Sequence, residues 1–236
     1  MQKALLVKKI QCVTYPRSGH HLLADLLICY YAKDPRTSLS SHDHFIAVNR
    51  FQYCEYFNHC KTVPCTDHET TYQKNHDMHL DQPVNPDYNY IIQYRNPLES
   101  LVSFFTVSSV EHSWIKDEGV ESWQKFSEEN IVYWKQFAEK WLSRKQPLKA
   151  LYVNYGDLLA NPSQKLQEVI DYLEPGAPID TVLIDAIVDS KRIHKRNHIA
   201  DFKYFDSSFF SCLAKKVAGE LDAIGLTAEV NQSILR

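Results

Sequence analysis

Several stretches of this chain combine residue types that bind anions or move protons. The first is Thr14-Tyr15-Pro16-Arg17-Ser18-Gly19-His20-His21-Leu22. Gly19 allows a tight turn and lets backbone come close to a ligand. The N–H groups of such a loop, with the start of a following helix, form an anion site. Arg17 adds a fixed positive charge with a two-pronged donor geometry, and Ser18 adds a hydroxyl. None of the six glycines is followed by Lys, so the phosphate loop G-x-x-x-x-G-K-[S/T] is absent.

The second stretch is Arg95-Asn96-Pro97-Leu98-Glu99-Ser100-Leu101-Val102-Ser103. Arg95 leaves the carboxyl end of an expected strand, where open α/β sheets bind ligands. Ser103 comes two turns into the following helix, so the two reach one phosphate only if the loop folds back. A third, Asn154-Tyr155-Gly156-Asp157-Leu158-Leu159, ends the next expected strand. A fourth, 191–203, carries five basic residues and only Asp201 as acid. The fifth is Gln73-Lys74-Asn75-His76, an imidazole two residues after an amine; His20, His21 and His79 compete with His76 as a base.

The elements that must position these residues follow from pattern. An apolar run ends at Ile10-Gln11-Cys12-Val13, and Leu22, Leu23, Leu26 and Leu27 then mark an amphipathic helix. Residues 42–88 are polar, His-rich and aromatic, and read as the least regular part of the chain, a binding-loop region. Tyr90-Ile91-Ile92 lies in a buried strand over 88–94. Asn96, Pro97 and Glu99 suit the N-cap, first and third positions of a helix. A long helix is expected over 122–144 with an aromatic stripe, then a strand over 148–154. Asn161-Pro162 opens a helix to Leu173. Helices are expected over 178–191 and, last, over 208–226, with 191–203 irregular between them. Strands alternating with helices predict an α/β fold with a parallel sheet covered on both faces.

The chain has 236 residues, which favours a single domain over 1–236. Its 26 basic and 29 acidic residues give a net charge of −3, so nucleic acid and anionic membranes are not expected partners. No apolar run reaches the roughly 18 residues of a membrane span. Lys3, Lys8 and Lys9 break up the apolar stretches of the amino terminus, so no signal peptide and a cytoplasmic location are expected. There the six cysteines should be thiols. Cys54, Cys60 and Cys65, near His59 and His68, lack the C-x-x-C pairs of common zinc sites and are read as buried or loop thiols.

Taken together, these stretches resemble the sulfotransferases that use 3′-phosphoadenosine-5′-phosphosulfate (PAPS). The first loop is similar to that family's Thr-Tyr-Pro-Lys-Ser-Gly-Thr-Thr-Trp, with Arg17, His20, His21 and Leu22 departing from it. The second is similar to the family's 3′-phosphate motif, Arg-Asn-Pro…Ser, with the same eight-residue step. The third resembles Tyr-Glu-Asp-Leu, with Gly156 in place of Glu. Lys195-Arg196-Asn197-His198-Ile199-Ala200-Asp201-Phe202-Lys203 resembles Arg-Lys-Gly-x-x-Gly-Asp-Trp-Lys, with both glycines replaced. The fifth resembles Lys-Thr-His, whose His is the base in small-molecule sulfotransferases.

The resemblance implies a three-layer, P-loop-like sulfotransferase fold and no metal or redox cofactor. It implies PAPS as co-substrate and adenosine 3′,5′-bisphosphate as product, with a hydroxyl or amine of a small molecule as acceptor. It places the 5′-phosphosulfate on Arg17, Ser18, Gly19, His20, His21 and Leu22. The 3′-phosphate falls to Arg95, Ser103, Lys195 and Arg196, and the adenine to Tyr155. His76 becomes the base, with turnover falling near pH ~6.5 if its pKa is unperturbed; Arg17 and Lys74 assist the leaving group. Leu22 removes the adenine-stacking Trp. The family's dimer motif, Lys-x-x-x-Thr-Val-x-x-x-Glu, is not recognisable, so the oligomeric state stays open. The alternatives are a non-catalytic nucleotide-binding module and a P-loop phosphotransferase.

Overall fold

The computed structural model describes residues 9–40, 43–66, 72–111, 115, 117–145, 148–191, 193 and 199–235. The chain divides into two compact units. One comprises Met1–Thr14, Ser18–Tyr94 and Pro147–His194; the other comprises Tyr15–Arg17, Arg95–Gln146 and Lys195–Arg236.

The first unit is built on a six-stranded sheet. Its strands are β1 (Ile10–Thr14), β2 (Phe45–Val48), β3 (Phe51–Glu55), β4 (Tyr72–Asn75), β5 (Asn89–Tyr94) and β6 (Lys149–Asn154). The order is β2-β3-β4-β1-β5-β6, and only the edge pair β2–β3 is antiparallel. The expected parallel α/β sheet is therefore the observed one. Helix α1 (His20–Ala32) follows β1. Its core partners include Ile10, Ile91 and Val153 from the sheet and Leu166, Val169, Ile170, Ile184 and Ile187. The last five lie on two later helices, Pro162–Leu173 and Thr181–Ser190. With sheet on one side and helices on another, α1 is buried nearly all round rather than along one stripe.

Two boundaries move. Residues 42–88 hold three strands where a loop-rich region is expected. Buried polar residues such as Gln73 and Lys74 hide the period-two signal, because each has a buried partner instead of facing water. The helix Thr181–Ser190 starts later than Pro178, because the Asp180 side chain accepts the Leu183 N–H and caps it there.

The second unit is helical. Helix α2 (Pro97–Thr106) begins on the Asn96 cap, whose side chain accepts the Leu98 N–H. Helix α3 (Val120–Phe137) continues into a π-turn, Ala138–Leu142. Its aromatics are core as expected: Trp123, Trp134, Phe137 and Trp141 are buried. Trp123 meets Phe202 and Phe210 at ring-centroid distances of 4.7 and 5.7 Å. The single carboxy-terminal helix expected over 208–226 is instead Ser207–Lys216, Ala218–Ile224 and Thr227–Leu235. The first break falls at β-branched, fully buried Val217, two residues before Gly219, both weak helix formers. The second is Gly225, a left-handed cap at φ 74°. Among the described residues no helix is long and apolar enough to cross a membrane.

Candidate active site

In the first unit the site grows from strand register. Val13 pairs with Asn75 across the parallel β1–β4 ladder, so the next residues, Thr14 at the end of β1 and His76 just past β4, stand side by side. The His76 Nδ1 lies 2.9 Å from the Thr14 carbonyl oxygen and 2.9 Å from Thr14 Oγ1. A carbonyl only accepts, so Nδ1 carries the proton and Nε2 keeps the lone pair. That is the tautomer a general base at Nε2 requires. Burial, and then the charge of Lys74, push the His76 pKa down to about 3. The ring is therefore neutral near pH 7.

One register step earlier lies a buried ion pair. Glu55 pairs with Lys74 across β3–β4, and Lys74 Nζ donates to Glu55 Oε1 at 2.6 Å. The Tyr53 hydroxyl donates to the same oxygen at 2.8 Å, while His44 Nδ1 and Asn58 Nδ2 reach Oε2 at 2.7 Å each. Burial raises the Glu55 carboxyl, yet His20, Lys74 and Asn58 outweigh it and hold it well below the usual carboxylate range. Removing one partner of a buried pair leaves the other charge uncompensated. Glu55→Gln is accordingly expected to cost about 3 kcal/mol of stability, read from urea denaturation at neutral pH. A loss under ~1 kcal/mol would show that Lys74 finds water instead.

His20 stands at the edge of this network, with Nε2 3.2 Å from the Tyr53 hydroxyl. That hydroxyl's proton goes to Glu55, so His20 donates through Nε2. Its Nδ1 lone pair is buried and has no partner. Burial and the Lys74 charge push the ring well below its usual pKa. Toward an anion, His20 thus offers its backbone N–H at the helix start, not an imidazole N–H.

Helix α1 has Gly19 as N-cap, with no side-chain cap and no acid in its first turn. The macrodipole and the first-turn N–H groups, which carry no side-chain cap, favour an anion there. Beside them, the Ser18 hydroxyl is buried and has no hydrogen-bond partner. His21 is exposed, and Leu22 packs against the core of its unit. Gly19 has φ 78°, and a Cβ there would stand 2.0 Å from Tyr155 Cδ2. Tyr155 opens a short helix, Tyr155–Ala160, capped by Asn154 at the end of β6. The ring thus covers the Gly19 backbone, and only glycine leaves it room. Gly19→Ala is expected to displace the ring and lower stability by about 1–3 kcal/mol. Thermal denaturation reads this; an unchanged midpoint would mean that loop and ring move apart without cost.

In the second unit, Arg17, Arg95 and Ser103 converge. Arg17 Nε donates to Ser103 Oγ at 3.0 Å, and Arg95 Nη1 donates to the Arg17 carbonyl at 3.3 Å. Arg17 has φ 64°, a left-handed conformation uncommon outside glycine. Arg95 Nε also donates to Glu99 Oε2 at 2.9 Å, one helical turn on. Glu99, expected as the third residue of a capping box, is thus an ion-pair partner of Arg95. Within the same unit the neighbouring Tyr15 is fully buried, its ring 5.2 Å from Tyr133 and 5.8 Å from Phe137. Of the basic stretch after residue 190, Lys191 pairs with Asp25 within the first unit at 2.8 Å, and Lys203 with Glu118 within the second at 2.6 Å. Lys195 and Arg196 lie outside the described residues.

Sequence reasoning gave no role at the site to Glu55, Tyr53, Thr14 or Glu99. Glu99 could have been found from its i,i+4 step to Arg95. Glu55 and Tyr53 have no sequence signal, because only the parallel register brings β3 beside Lys74. His20, His21 and Glu55 also lie within metal-ligating distance of one another. Both Glu55 oxygens are already occupied by amine, hydroxyl, imidazole and amide donors, so this group is an ion-pair network.

A mostly parallel six-stranded sheet flanked by helices, with a glycine-initiated helix after β1, defines an α/β protein of the three-layer class. The chain belongs to the sulfotransferase family: the family model for the sulfotransferase domain matches residues 8–206. The protein is a transferase of sulfuryl groups.

Proposed function

We propose that residues 1–236 act as one sulfotransferase domain whose donor is PAPS and whose acceptor is a small molecule bearing a hydroxyl or amine. The observation that carries the donor assignment is the α1 start. Its first-turn N–H groups carry no side-chain cap, and the buried Ser18 hydroxyl beside them has no partner. The 5′-phosphosulfate is assigned to Ser18, Gly19, the His20, His21 and Leu22 backbone, and Arg17. The 3′-phosphate is assigned to Arg95, Ser103, Lys195 and Arg196, and the adenine to Tyr155. Six cysteines outside disulfides suit a reducing compartment, which supports a cytoplasmic setting.

In this reading the acceptor oxygen or nitrogen attacks sulfur in line. The bond from sulfur to the bridging phosphate oxygen breaks, and its electron pair stays on the phosphate. The acceptor proton passes to His76 Nε2, while Thr14 keeps the proton on Nδ1. Arg17 neutralises the departing phosphate without giving up a proton. Lys74, tied to Glu55, keeps His76 neutral through its charge and adds positive potential.

Incubation with ³⁵S-labelled PAPS and a panel of phenols, alcohols, amines and polysaccharides tests this. Label is expected in small acceptors, bound by residues 42–88. Label only in polysaccharide rejects the acceptor class, and nucleotide binding without any transfer makes the protein a binding module.

A further inference from the structure

The alternation of β3 sends Cys54 to the face opposite Tyr53 and Glu55. There Cys54 meets two cysteines from the turn that follows. Cys54 Sγ lies 3.0 Å from Cys60 Sγ and 3.9 Å from Cys65 Sγ. All three sulfurs lie within 4.8 Å of one another. The three residues are buried, form a small cluster of their own with Phe45 and Tyr56 against it, and are not in disulfides. Gln73, the β4 partner of Cys54, ties the cluster together. Its Nε2 donates to Cys60 Sγ at 2.9 Å, and its Oε1 accepts the Cys65 N–H at 3.0 Å.

We propose that Cys54, Cys60 and Cys65 form a three-thiolate site for one divalent, thiophilic cation of the zinc type. Three soft sulfurs select a soft or borderline metal over magnesium or calcium. Burial selects charge: three thiolates leave a net −1 around a divalent ion but −2 around cuprous copper, and uncompensated buried charge is costly. Zinc–sulfur bonds of about 2.3 Å in tetrahedral geometry put sulfurs about 3.8 Å apart. Cys54 and Cys65 already match, and Cys54 and Cys60 need to open by about 0.8 Å. The Gln73 N–H is an outer-shell donor that stabilises a bound thiolate. On binding, each thiol releases its proton to solvent, and water completes the tetrahedron. The outer turn, Phe57–His59 with Lys61 and Thr62, is exposed and gives the metal a short way in. Empty, the thiols stay neutral, since burial raises the pKa of Cys54 and Cys60.

The test uses the full chain, stripped with chelator under reducing conditions and titrated with Co²⁺, Zn²⁺ and Cu⁺. One Co²⁺ per chain is expected to give sulfur-to-cobalt charge-transfer absorption, displaced by one Zn²⁺. Zn²⁺ should also raise the unfolding midpoint. Cys60→Ser and Cys65→Ser are each expected to weaken cobalt at least ~10-fold, whereas Cys29→Ser and Cys212→Ser should not. Circular dichroism of the metal-free variants separates lost ligation from lost folding. If Cys60→Ser does not fold, Gln73→Leu replaces it, with weakened cobalt expected. No charge-transfer band at one equivalent overturns the proposal. So does a band that survives the double substitution of Cys60 and Cys65, a cuprous site that zinc does not occupy, or reduced protein with its thiols reactive and no metal bound.

Discussion

His76→Ala is expected to lower turnover by about 10²–10⁴-fold, the usual loss for a general base, with PAPS affinity nearly unchanged. Affinity survives because the phosphates are assigned to other groups: the α1 start, Arg17, Arg95 and Ser103. The wild-type pH profile carries the sharper expectation. An unperturbed imidazole would make turnover fall near pH ~6.5. Burial and Lys74 place the His76 pKa at about 3, so this group keeps its lone pair through pH 5–8 and turnover should stay flat there. Stability behaves differently. The unfolded imidazole takes a proton near pH ~6.5 and the folded one does not, so the unfolded chain holds more protons between the two values. Stability is therefore full above pH ~6.5 and declines as pH falls toward 3, by up to about 1.4 kcal/mol per unit. Parallel kinetics and denaturant titrations over pH 4–8 measure both. A His76→Ala enzyme with near-normal rate would falsify the assignment and transfer the role to His20 or His21. Single variants of those two should disturb nucleotide affinity as well as rate.

Arg95→Ala is expected to weaken PAPS by roughly ten- to a hundred-fold, since one charge-assisted contact is worth about 1.5–3 kcal/mol. Adenosine 5′-phosphosulfate lacks the 3′-phosphate and should lose far less. The substitution also removes the bonds to Glu99 and to the Arg17 carbonyl, and so releases Arg17 from one side. A modest common loss for both nucleotides is thus expected, with the difference between them reporting the 3′-phosphate. Calorimetric titration decides: equal losses for the two nucleotides would mean that Arg95 only braces the Arg17 backbone.

Much of the framework was legible in the chain itself. Strand, glycine turn and helix over residues 10–32 follow from an apolar run, Gly19 and the leucine spacing. The α2 start follows from Asn96-Pro97, and the α3 core follows from its aromatic period. Local signals of this kind survive folding because caps, turns and periodicity act over a few residues. The family resemblance was legible too, in short motifs such as Thr14–Leu22 and Arg95–Ser103, which begin where β1 and β5 end.

Tertiary structure decided the rest, and the reason is register. No local pattern announces that Glu55 faces Lys74, or that Thr14 faces His76. Those partners are 19 and 62 residues apart and meet only because β3, β4 and β1 align in parallel. From that alignment come the neutral imidazole, its tautomer and the tied amine. The 42–88 region reads as loop because its strands bury paired polar residues, which break the alternation a sequence can display. The three thiols show the same limit: spacings of six and five residues fit no familiar zinc motif, yet strand, bridge and turn bring the sulfurs within one ion's reach.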